Sequence, residues 1–177
     1  MKLFLALSAI LMAQHAQASI QAFPEYRCEQ ASVEIQLVDL KLCTNKNALR
    51  SVNVLGLSDP NLVLTLSKQE LAIAKLPPAI AIANLHQKMG ITVHQLFMRL
   101  ASGELTPEIT AAFAVNEQNP IQVFQHEALF ALAVIGSNQD YDRIYLNLKD
   151  GEAIYQITGE FNQLELESIL AAIQYID

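Results

Sequence analysis

The sequence predicts an α+β fold: a disulfide-tied N-terminal β portion, a helical middle of about four to five helices, and a C-terminal ββα unit with an antiparallel hairpin. Three observations predict it. Short apolar runs separated by polar turn residues fill the stretch from Leu37 to Leu66. Helix-start signatures recur from Ser67 onward, and Asp150 with Gly151 divides two apolar segments just before the last helical pattern.

Residues 1–18 precede that fold rather than join it. Lys2 supplies a charged start, Leu3 to Ala13 an apolar stretch interrupted only by Ser8, and Ala16, Gln17, Ala18 a small-residue cleavage site before Ser19. That arrangement is a secretory signal peptide, removed near Ala18. It leaves residues 19–177, a length that one α+β domain covers. The expected location is the periplasm or the exterior. No later segment reaches the roughly 18 uninterrupted apolar residues of a spanning helix. The nearest, Leu71 to Leu85, contains Lys75, Pro77 and Pro78.

Cys28 and Cys43 are the only cysteines, and a lone pair in an exported chain is expected to oxidise. Such a bond constrains the chain around it. A single strand from Val33 to Cys43 would extend about 33 Å, while Cys28 to Val33 can reach back only about 18 Å. Those ends cannot meet within the ~7 Å that bridged Cα atoms allow. The expectation is a shorter strand, roughly Leu37 to Cys43, with the preceding segment folded back.

Thr44 to Asn47 form a polar turn, and Leu49 to Leu57 follows as a second strand of a hairpin. Asp59, Pro60 and Asn61 turn the chain into a short strand with apolar residues at Leu62, Leu64 and Leu66. Helix starts come next. Leu66, Ser67, Glu70 and Leu71 have the spacing of a capping box with its hydrophobic staple, as do Ile91, Thr92, Gln95 and Leu96, and Phe161, Asn162, Glu165 and Leu166. Thr106 before Pro107 is a simpler cap with proline in the first turn. Gly90 and Gly103 stand where helices begun at Pro78 and Thr92 should end.

The region from 67 to 118 is therefore expected to be mostly helical. Ile121, Phe124, Ala128, Ala131 and Ile135 continue at helical spacing after Asn119 and Pro120. The alternative there is a strand through Val123 to Val134; the abundance of Ala, Leu and Gln favours helix. The Asp150-Gly151 pair suits a two-residue hairpin turn, with Ile144 opposite Ile157, Leu146 opposite Tyr155 and Leu148 opposite Ala153 on one apolar face. Tyr145, Asn147, Gln156 and Thr158 fall on the other. A final helix, Gln163 to Ile176, should pack its Leu166, Ile169, Leu170, Ile173 and Ile176 stripe onto the apolar face.

Composition excludes some functions. Eighteen acidic against eleven basic residues give a net charge of −7, one unit more negative once Lys2 is removed, which disfavours a nucleic-acid partner. Hydrophobic residues make up 52% of the chain and charged ones 16%, so either the core is large or a partner covers an apolar face.

The catalytic motifs fail individually. His126 and Glu127 open an HExxH-like string whose fifth position is Phe130, so a second zinc ligand is missing. Ser58 follows Gly56, but Pro60 stands where a nucleophile elbow needs glycine. His86 and His94 lie on either side of Gly90, and Glu165 and Glu167 fall on the exposed side of the last helix. No metal, cofactor or catalytic residue is assigned.

Ala83, Gly90, Ile91, Val93, Leu96 and Leu100, with Gly103 after them, resemble a bacterial helix-turn-helix over about 20 residues. The resemblance implies a recognition helix beginning at Thr92. Only His94, Gln95 and Arg99 could reach a groove, and the leader and acidic charge oppose DNA binding, so the stretch reads as a helix pair of the core.

The resulting expectation is an exported, non-enzymatic envelope protein that binds another protein, in the manner of an assembly factor, chaperone or inhibitor. Its partner would be an envelope or extracellular protein or a second copy of itself. The alternatives are a periplasmic carrier of a small apolar ligand and a hydrolase with a dispersed active site. The candidate docking face is the proline-broken apolar run, through Leu71, Ile73, Leu76, Ile80, Ile82 and Leu85.

Overall fold

A computed structural model describes residues 20–56, 61–116, 119–127, 129–136, 142–148 and 151–176. The leader, the Asp59-Pro60 turn, Ser58, Ala128 and Asp150 lie outside these residues. The described chain is mixed α+β, mostly sheet, with five helices and one disulfide.

After a short strand β1 (Ile20–Ala22), strands β2 (Ser32–Leu37) and β3 (Leu40–Asn45) form an antiparallel hairpin. The chain reverses at Val38 and Asp39, with Val38 in the left-handed region at φ 58. This is the fold-back that the disulfide requires: Cys28 and Cys43 are bridged with their Cα atoms 5.6 Å apart, and no straight strand runs from 33 to 43.

Strand β4 (Leu49–Leu55) does not return along β3 as a hairpin. Instead it pairs with β5 (Asn61–Leu66), and β5 with β6 (Glu70–Leu76), in a different sheet. The expected helix start at Ser67 is thus a strand turn, closed by Leu66 N–H donating to the Gln69 carbonyl at 2.8 Å. Serine suits a tight turn as well as a helix cap. Pairing of β6 on both sides outweighs the helix preference of its alanines.

Proline then starts a helix as expected, but only a single turn, α1 (Pro78–Ala81). Ala83 and Asn84 adopt left-handed conformations, φ 49 and 54, so the anticipated helix from Pro78 to Gly90 becomes α1 and a second short turn, α2 (Leu85–Lys88). The other starts are where local chemistry puts them. In α3 (Val93–Ala101) the Thr92 hydroxyl accepts from Gln95 N–H and the Gln95 side chain accepts from Thr92 N–H. Thr106 caps α4 (Pro107–Phe113). Gly90 and Gly103 have φ 66 and 83, the left-handed geometry that glycine adopts at helix ends.

The helix expected at 121–135 is absent. Strands β7 (Ile121–His126) and β8 (Leu129–Val134) stand there as an antiparallel pair, reversing at Glu127 with φ 50. Neither does one strand run from Val123 to Val134. All six residues of β8 are buried, so the polar alternation that identifies a half-exposed strand is missing.

The C-terminal hairpin has the anticipated register. Strands β9 (Asp142–Leu148) and β10 (Ile154–Gly159) pair Ile144 with Ile157 and Leu146 with Tyr155. The second face is not solvated: Tyr145 and Asn147 are buried. Helix α5 (Gln163–Ala171) starts at the Asn162–Glu165 capping box and packs Leu166, Ile169 and Leu170 into one core with Ile144, Leu146 and Ile157. It ends before Ile176, because the chain becomes a strand, β11 (Ile173–Tyr175), that pairs with β3.

Three layers result. An eight-stranded sheet in the order β1-β7-β8-β9-β10-β6-β5-β4 lies in the middle, and the other sheet is β11-β3-β2. An inner core joins one face of the large sheet to the small sheet and α5. An outer core joins the other face to α1–α4, through Phe97, Leu100, Phe113, Phe130, Leu132 and Tyr145.

Candidate functional site

The apolar run proposed as a docking face does not form one surface. Leu71 and Ile73 point into the inner core, Ile82 and Leu85 into the outer core, Leu76 is half-buried, and only Ile80 is open, 70% exposed. Pro77 and Pro78 split the run between a strand and a helical turn, and strand alternation separates the two sides.

The helix-turn-helix stretch is likewise internal. Val93, Leu96 and Leu100 face the outer core, which leaves α3 packed on the sheet. His86 is buried, and His94 sets its ring edge-on against Phe130 at 5.2 Å. Among the described residues no three His, Cys, Asp or Glu side chains gather as metal ligands.

A cleft of about 910 Å³ opens at one end of the layers. Five parts of the chain surround it: Phe23–Tyr26 after β1, the β2–β3 reversal at Asp39, the β7–β8 reversal at His126 and Glu127, the β9–β10 end at Leu148 and Gly151, and β11. Phe23, Leu129, Leu148 and Ile173 give apolar surface. Glu25, Asp39 and Glu127 give carboxylates, and no lysine or arginine lines it among the described residues.

The wall at Phe23–Tyr26 has no regular structure and is held by three ties. Phe23 N–H donates to the Gln125 carbonyl at 3.1 Å, and Arg27 N–H to the Ala171 carbonyl at 2.7 Å. The third tie is covalent: Cys28 follows directly and is bonded to Cys43 of β3. Beyond it the Tyr26 hydroxyl donates to Glu34 at 3.1 Å. Partial desolvation, then the Glu34 carboxylate as acceptor and neighbouring charge, raise the Tyr26 pKa, so this donor keeps its proton at neutral pH.

One carboxylate of the cleft is already engaged. Asp39 accepts from the Lys75 ammonium with both oxygens at 3.1 Å, and that ammonium also stands 5.3 Å from the Tyr155 ring centre. The pair links the β2–β3 reversal to the end of β6. Glu25 and Glu127 are exposed at the margin. They are the acidic groups available to an incoming ligand.

None of the cleft's lining residues is marked as a site by local spacing in the sequence. His126 and Glu127 were noticed only as part of a failed zinc motif. The lining runs from Phe23 to Tyr175, and no local spacing connects those positions. No protein-family model, curated protein or solved structure matches the chain.

Proposed function

We propose that the chain is an exported, non-enzymatic protein that binds a basic, apolar segment of an envelope or extracellular partner in the end cleft. The observation that carries this reading is the lining: apolar side chains beside the carboxylates of Glu25 and Glu127, with no lysine or arginine among the described lining residues. A lysine or arginine of the partner could lay its aliphatic stem along Phe23 and Leu129 and keep its head near the acids. Each exposed charge pair contributes only about 0.2–1 kcal/mol. The acids therefore supply selectivity, and the apolar surface supplies most of the affinity.

Export is supported by the leader pattern and by the Cys28–Cys43 bond, since structural disulfides persist in oxidising compartments. No described helix is long and apolar enough to cross a membrane. The disulfide also contributes to the site, because it anchors the chain immediately after the Phe23–Tyr26 wall.

Calorimetric titration of the exported chain with two unstructured peptides of equal length tests the reading. One alternates Lys with Leu and Phe; the other carries Glu in place of Lys. The basic peptide should bind and weaken with added salt, and Glu25→Gln with Glu127→Gln should reduce its affinity about 5-fold. Equal binding of the acidic peptide, or indifference to the double substitution, would overturn it. A second reading, carriage of a small apolar ligand, draws on the cleft volume, which matches small-molecule sites of about 300–1,000 Å³. Native mass spectrometry showing a retained organic ligand would favour it.

A further inference from the structure

The far edge of the large sheet is a surface the cleft reading does not use. Among the described residues strand β4 ends the strand order, paired with β5 on one side only. Every residue from Arg50 to Leu55 is exposed, and Val52, Val54 and Leu55 are 39%, 64% and 55% exposed. An unpaired strand edge presents a row of free amides and carbonyls, which proteins ordinarily guard with lysine, proline, a bulge or a very short strand. The opposite edge, β1, has only three residues. On β4 the pairing register shifts between Leu49 and Ser51, beside the basic Arg50. From Ser51 to Leu55 the strand is regular and carries neither charge nor proline.

We propose that this edge pairs, antiparallel, with the same edge of a second copy of the chain, about a two-fold axis through Asn53. The large sheets of two molecules then become continuous. The segment is complementary to itself in this register. Asn53 faces Asn53, and a carboxamide both donates and accepts, so the pair can satisfy itself. Val52 faces Val54 and Val54 faces Val52, while Ser51 faces Leu55. The two valines lie opposite Leu64 and Leu62 of β5, whose side chains belong to the inner core. Each molecule would therefore extend the apolar face of its copy.

Charge favours a copy at this place. The chain is net −7, so two molecules repel over most of their surfaces. This segment is neutral and, among the described residues, the charge beside it is Arg50, so the paired residues set no carboxylate against another. A two-fold contact is closed and stops at two subunits, which gives an exposed apolar edge an occupant without growth into a fibre. Five paired residues on each side make a small interface, so the dimer should be weak and concentration-dependent.

Sedimentation of the exported chain together with a cysteine scan of the edge tests the proposal. A cysteine opposite itself in an antiparallel pair lies within bridging distance. Asn53→Cys should form covalent dimers on mild oxidation at least 10-fold faster than Val52→Cys or Ser51→Cys, with Cys28–Cys43 intact. Val54→Lys should weaken the non-covalent dimer at least 10-fold, yet leave binding of the basic peptide unchanged. Should Val54→Lys fail to fold, the Asn53→Cys cross-link decides alone. A wild-type monomer at about 100 μM, fastest cross-linking at position 52, or a dimer indifferent to both substitutions would overturn it.

Discussion

Strands β8 and β4 belong to one sheet and have opposite surroundings. In β8, Phe130, Leu132 and Val134 face the helices, while Leu129, Ala131 and Ala133 face the small sheet and α5. In β4, with the sequence Leu-Arg-Ser-Val-Asn-Val-Leu, every residue after Leu49 is exposed, and β5 is its one paired neighbour among the described residues. Val52 and Val54 are as hydrophobic as Val134, yet only Val134 is fully buried. The difference teaches that burial in this molecule is set by the layers laid on the sheet and not by the strand's own composition.

The largest effect should come from deleting side-chain volume at the two ends. Leu132→Ala should cost about 2–5 kcal/mol, because its site is sealed on every side, whereas Val54→Ala should stay within about 0.5 kcal/mol. Urea unfolding of the monomeric protein measures both. A comparable loss at Val54 would mean that β4 has a cover of its own.

Next, replacing Cys28 and Cys43 by serine should cost about 3 kcal/mol for a loop of this length in the chain-entropy model. It should also make β8 more like β4, by loosening the small sheet that covers the inner face. Hydrogen exchange should show faster exchange in β3, β8 and β9, with β4 unchanged. The wall Phe23–Tyr26 should loosen as well, and the basic peptide should bind less tightly.

A smaller effect is expected where β10 meets β6, between the strands nearest β8 and those leading to β4. Gly159 on β10 pairs with Leu71 on β6, and a Cβ there would lie 2.7 Å from the Glu70 carbonyl oxygen and 2.7 Å from Leu71 Cδ2. Gly159→Ala should cost about 1–3 kcal/mol and lower exchange protection in β5 and β6 more than in β8. Uniform loss across the sheet would show that the two halves do not open separately.

The smallest effect is confined to high pH. Burial raises the pKa of Tyr145, opposed by the Arg143 charge and a hydrogen bond with Gln156. A raised folded-state pKa means that its stabilising contribution is complete below the ordinary value of 10.0 and is lost as pH rises through the folded value. Urea midpoints should therefore fall above that pH in the wild type and fall less in Tyr145→Phe. An unchanged alkaline profile would argue that the outer core admits water at Tyr145.

The contrast also explains what could be read in advance. Thr92 with Gln95, Thr106 with Pro107 and Asn162 with Glu165 marked real helix starts, because a cap is a bond between residues three apart. The Ile144–Ile157 register was legible because apolar residues alternate at matching distances on either side of Asp150-Gly151. The Leu71–Leu76 and Leu129–Val134 segments, by contrast, have helical composition yet form strands. The first is paired on both sides and the second covered on both faces, and alanine-rich buried strands lose the polar alternation that would identify them. The docking face failed for the same reason: hydrophobic residues identified it, but their burial depends on distant chain.

By itself, then, the sequence determined the disulfide and the fold-back it demands, the caps and the C-terminal register. Each of these depends on neighbours in the chain or on one covalent distance. Only the tertiary structure decided which apolar runs became strands, which two cores they fill, and that β4 stays uncovered. It also assembled the cleft, from segments as far apart as Phe23 and Tyr175. Those outcomes arise from layer on layer packing, where the free energy belongs to area buried between distant segments, and no local spacing records that.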